Sequence, residues 1–155
     1  MNTQRRNVLK AGSGAALMTV LAAAGIITPG MALADWNKSA FDAKSMADTL
    51  KALGAGAPAE SKDVQLTGPD IAENGAVVPV GVASTLPNIS LVAILIEKNP
   101  NALAATFVLP EGTEANVQTR VKMGQTSNIY ALVKSDGKFF MATKEIKVTL
   151  GGCGG

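Results

Sequence analysis

From Asp63 onward the apolar runs are short, and turn residues cut them about every 8–12 residues. The runs are Val64–Leu66, Ala76–Val82, Ile89–Glu97, Leu103–Leu109, Asn116–Met123, Ile129–Lys134 and Lys138–Ala142, with a last one at Ile146–Leu150. None is long enough to build a helix bundle. In Asn116–Met123 the inward set Val117, Thr119, Val121 and Met123 alternates with Gln118, Arg120 and Lys122, the period-2 pattern of a half-buried strand. Ile89–Glu97 is apolar almost throughout, which predicts a strand buried on both faces. Ala76–Val82 holds Pro79 and Gly81, which predicts an edge or bulged strand. Ser135-Asp136-Gly137 separates two apolar runs and is a hairpin signal. The pattern predicts an all-β fold, an antiparallel β-sandwich of immunoglobulin-like type. It lacks the paired cysteines and central tryptophan of antibody domains, so only the architecture is implied.

Upstream the period changes. Phe41, Met46, Leu50 and Leu53 fall near helical spacing, with Lys44, Asp48 and Lys51 between them, which predicts a short N-terminal helix over Ala40–Leu53. Gly54 and Gly56 end it, Pro58 follows, and Gly54–Glu60 reads as an exposed linker. Before this lies a stretch with the composition of an export leader. Arg5 and Arg6 precede Val8, Leu9 and Lys10, a mildly apolar Ala/Gly-rich segment follows, and Ala32-Leu33-Ala34 is a small-x-small cleavage site. Paired arginines in this setting resemble a twin-arginine signal, which routes folded proteins to the periplasm. Gly12, Gly14, Gly25, Pro29 and Gly30 argue against a retained membrane anchor. The expected organisation is a leader at 1–34, helix and linker at 35–60, a sandwich domain at 61–150 and an arm at 151–155. The leader takes three of the 14 basic residues and none of the 12 acidic ones, leaving 11 against 12 and a net charge of −1. That balance gives no electrostatic case for nucleic acid.

The sole cysteine is Cys153, flanked by Gly151, Gly152, Gly154 and Gly155. Glycines offer no side chains to pack, so these residues predict a flexible arm with a thiol near its tip. Extended, five residues reach about 17 Å, enough to enter a narrow cleft in another protein. A carboxylate two residues away favours the thiol over the thiolate, so activation falls to the enzyme that receives it. One cysteine cannot form an internal disulfide, and a lone thiol in an oxidising compartment points to chemical use. Histidine is absent, so no Cys–His dyad, zinc centre or other metal site is expected, and no cofactor either. Trp36 and Tyr130 read as core or boundary residues, Met123 and Met141 as ordinary strand residues, and Lys144 and Lys147 as a solvated face.

The twin-arginine leader, the small all-β domain and above all Gly151-Gly152-Cys153-Gly154-Gly155 resemble the SoxY family of the Sox thiosulfate-oxidising system. The resemblance implies a non-catalytic carrier whose Cys153 holds sulfur intermediates covalently. It implies a heterodimer with the Z subunit, a second small β-sandwich exported with it. Transient partners would be a c-type cytochrome complex that conjugates thiosulfate, a dimanganese hydrolase that releases sulfate, and a molybdenum–haem sulfane dehydrogenase. Two other readings stand beside it. One is a structural or assembly β-domain whose tail thiol only forms intermolecular disulfides. The other is a modifier of ubiquitin type, whose reactive group is the terminal carboxylate.

Overall fold

The computed structural model describes residues 37–149. The export arginines Arg5 and Arg6, Trp36, Leu150 and the arm Gly151, Gly152, Cys153, Gly154 and Gly155 lie outside the described residues.

The helical stretch is two helices rather than one. Helix α1 spans Lys38–Asp42 and α2 spans Met46–Ala52. The break comes from side chains that cap backbone. Ser45 Oγ accepts from the Asp48 N–H at 3.1 Å and donates to the Asp48 carboxylate at 2.7 Å. Asn37 Oδ1 accepts from the Ala40 N–H. Ala43 between them is extended, so a fresh helix starts at Ser45. Gly54, with φ +74°, closes α2, its N–H bonded to the Lys51 carbonyl and the Ala55 N–H to that of Leu50. This turn carries Ala55 into the interior, so the expected exposed linker is partly buried.

The strands are β1 (Ala59–Glu60), β2 (Val64–Thr67), β3 (Ile71–Ala72), β4 (Val78–Ser84), β5 (Ile89–Ile96), β6 (Leu103–Val108), β7 (Asn116–Val121), β8 (Ser127–Ser135) and β9 (Lys138–Val148). They form two packed sheets, an immunoglobulin-like sandwich. One sheet runs β1-β9-β8-β5-β6 with β3 also on β9, and the other runs β2-β4-β7. The long pairings are antiparallel, but β1 and β3 each add two residues to the outer edge of β9 in parallel. Asp136 and Gly137, with φ +47° and +77°, form the tight turn between β8 and β9 that their sequence predicts. Strand β9 is continuous through Val148, so the run at Lys138–Ala142 and the segment Ile146–Val148 of the next run belong to one strand.

The expectation of an edge or bulged strand at Ala76–Val82 is corrected for the strand as a whole, which is central and regular, although at Pro79 only β7 pairs with it. β4 lies between β2 and β7. Pro79 is tolerated because β2 ends opposite Gly81, so no strand on that side needs the proline's missing N–H. β5 is buried on both faces, as its sequence requires. Val92, Ile94 and Ile96 enter the core between the sheets, where they meet Val78, Val80 and Val82 of β4. Ala93 and Leu95 point the other way into a second cluster beneath the helices, with Phe41, Met46, Leu50 and Leu53 at its rim. The helices therefore cover the outer face of the larger sheet, and each large side chain buried there contributes about 1.5–3 kcal/mol.

Candidate functional site: the root of the C-terminal segment

Cys153 itself is outside the described residues, but the point from which its segment departs is well defined. β8 stops pairing where Ser127 faces Ile146, while β9 continues to Val148. The extra length is held by other means. The Lys147 N–H donates to the Asp70 carbonyl at 3.0 Å and the Thr149 N–H to the Ala72 carbonyl at 3.1 Å. Val148 faces the opposite side, where β8 has ended, and its N–H donates to Thr126 Oγ1 at 2.9 Å.

Asp70, just before strand β3, and Ala72 within it supply the two carbonyls, and this stretch is anchored in turn. Ala72 is buried in the main core. Lys144 Nζ lies 2.8 Å from Asp70 Oδ1. The hydrogen bond and charge of Lys144 hold the Asp70 carboxyl below its ordinary range. Gly75 accepts from the Met123 N–H at 2.7 Å. A Cβ on Gly75 would lie 2.4 Å from the Met123 carbonyl oxygen and 2.8 Å from Val148 Cγ1. Only glycine lets Val148 lie this close over the loop.

The other singled-out residues fall into place. Met123 is fully buried in the main core, and Met141 is half-buried beneath the helices. Tyr130 packs at the rim of the second cluster, its hydroxyl 3.3 Å from the Glu97 carboxylate. Burial first, and then the Glu97 charge and hydrogen bond, push its phenol up from the ordinary value. Lys147 is exposed, whereas Lys144 is half-buried and engaged with Asp70. Among the described residues no cluster of acidic side chains could hold a metal, and no helix is long and apolar enough to cross a membrane. The sequence reading missed β3, Gly75 and Thr126. Gly75 carried the one available signal, a glycine after Asn74 and directly before the run Ala76–Val82.

Fold and termination together define a small immunoglobulin-like sandwich whose last strand is fastened up to the start of a glycine-flanked cysteine segment. The family profile for sulfur oxidation protein SoxY matches residues 50–153, about two thirds of the chain. The chain belongs to the SoxY family. The solved structure of the sulfur carrier protein SoxY from Chlorobium limicola f thiosulfatophilum is 34% identical, with a TM-score of 0.59, covering 66% of this chain and 96% of that one. A chain from a structural study of T cell specificity and activation by toxic shock syndrome toxin-1 aligns at 11% identity and a TM-score of 0.39, covering 56% of this chain and 99% of that one, and carries no argument. No curated protein matches the chain.

Proposed function

We propose that this protein is a periplasmic sulfur carrier, exported through Arg5 and Arg6 by the twin-arginine route, that holds intermediates of thiosulfate oxidation on Cys153. The observation that carries the reading is the span of the family match, which runs through the glycine pair to Cys153, the one thiol in the chain. Gly151, Gly152, Gly154 and Gly155 serve as a tether whose lack of Cβ atoms lets it enter a narrow tunnel. Glycines also lose the most backbone freedom on ordering, on the order of 1–2 kcal/mol per residue, so entry is weak and reversible.

In the first step the Cys153 sulfur bonds to the outer sulfur of thiosulfate. The thiol proton goes to water, and the electron pair released by forming the S–S bond passes to a c-type cytochrome complex. Water then cleaves the terminal S–S bond at a dimanganese hydrolase, sulfate leaves, and a persulfide stays on Cys153. A sulfane dehydrogenase, where present, would oxidise the outer sulfur of that persulfide to a sulfonate, with three waters supplying the oxygens and six electrons passing to a cytochrome, and a second hydrolysis would release sulfate and restore the thiol. The chemistry belongs to the partners; this chain supplies attachment and delivery, paired with the Z subunit in a heterodimer.

The test is the mass of the C-terminal peptide after incubation of the complex with thiosulfate and the cognate cytochrome. The carrier reading expects a thiosulfonate adduct on Cys153, and Cys153→Ser should abolish thiosulfate-dependent electron flow with fold and heterodimer intact. If activity survives in Cys153→Ser and only covalent dimers vanish, the protein is an assembly domain instead.

A further inference from the structure

We infer that Thr126 and strand β3 form a clamp that fixes where the carrier tether leaves the sandwich, and so sets its reach. This rests on the carrier reading of Cys153. A terminal strand with nothing to position is free to fray once its neighbour ends. β9 loses β8 at Ile146, yet the next three residues are each held. Residues 147 and 149 use the Asp70 and Ala72 carbonyls on one side. Val148 uses the Thr126 hydroxyl on the other, so one side chain adds a rung that β8 does not supply. The loop behind the clamp is fastened by the Lys144–Asp70 pair and by Met123 on Gly75.

The consequence is one of length. With the root at Thr149, Cys153 is four residues further along, and the thiol stays within about 14 Å of the root. With the root slipped back to Ile146, Cys153 is seven residues further along and the radius grows to about 25 Å. A cleft matched to the short tether then receives its thiol at lower effective concentration, by about twofold if that falls as the −3/2 power of length. Thr126 is therefore a positioning residue: it touches no cargo and acts through the root.

Thr126→Val removes the hydroxyl at nearly constant shape, and Thr126→Ser restores it. In the full chain with its partner subunit, amide exchange at Lys147, Val148 and Thr149 should rise about tenfold or more in Thr126→Val and stay at the wild-type rate in Thr126→Ser. A nitroxide on Cys153 should broaden amides over a zone about 10 Å wider in Thr126→Val. Loading of thiosulfate by the cognate cytochrome should show KM raised about twofold with kcat unchanged, and Thr126→Ser should restore it. Unchanged exchange and an unchanged broadened zone in Thr126→Val overturn the clamp, as does faster exchange with unaltered loading constants. If the wild type never loads sulfur, the carrier reading fails, while exchange and broadening still decide the clamp.

Discussion

At the scale of single residues, two shifted acids report on their surroundings with opposite signs. Lys144 lowers the Asp70 carboxyl, chiefly by its hydrogen bond and then by its charge. The pair's contribution is present above the ordinary carboxylate range and is lost as pH falls through the lowered folded value. A carbon-detected NMR titration should place the Asp70 midpoint below 3.8, and Lys144→Met should return it toward that value. Tyr130 behaves inversely. Its pKa is raised above 10.0, so its contribution is complete below the unfolded value and is lost as pH rises through the folded one. As the only tyrosine, it can be followed by ultraviolet absorbance during an alkaline titration. Glu97→Gln should lower the midpoint yet leave it above the ordinary value, because burial is the larger cause. Neither environment could be read from the chain: Asp70 and Lys144 are far apart in sequence, as are Glu97 and Tyr130, and only the fold joins them.

At the scale of elements, legibility followed locality. The Asp136-Gly137 turn and the alternation through Asn116–Val121 are set by adjacent residues, and both were plain in the sequence. Strand β3 was not, because two residues show no period and its partner, Lys147–Val148, lies in another part of the chain. The placement of β4 failed for the same reason. Pro79 and Gly81 predict an edge or a bulge, but what decides is where β2 stops, and that is a property of a different strand. The helix break at Ser45 was local and visible in principle, since Ser45 followed by Asp48 is a capping pattern. Gly75 supplies the prediction at this scale. With the Met123 carbonyl oxygen 2.4 Å from the site of a Cβ, Gly75→Ala must displace backbone. It should cost about 1–3 kcal/mol by denaturant unfolding and expose the Val148 amide to exchange. Gly56→Ala, with nothing within 4 Å of its Cβ site, should change stability far less.

For the whole molecule, folding and the proposed chemistry use different parts of the chain. Among the described residues the largest fully buried side chains run from Thr49 to Ile146, and the central ones, Ile94 and Leu95, point to opposite sides of one strand. Leu95→Ala should cost about 2–5 kcal/mol because it empties the layer under the helices. The cysteine motif was legible because it is contiguous, five residues that need no fold to be recognised, whereas its root was assembled from Asp70, Gly75, Thr126 and Val148, which only the sandwich brings together. Deleting residues 151–155 separates the two. The root bonds end at Thr149 and the core ends earlier, so the truncated chain should melt within about 2 °C of the parent and still pair with its partner subunit, since stability follows buried apolar area. The same chain should take up no thiosulfate-derived sulfur. Thermal unfolding monitored by circular dichroism, alongside intact mass after incubation with the cytochrome, measures both halves on one sample. A large drop in melting temperature would mean that the last five residues belong to the fold, and a tether could not then be what they are for.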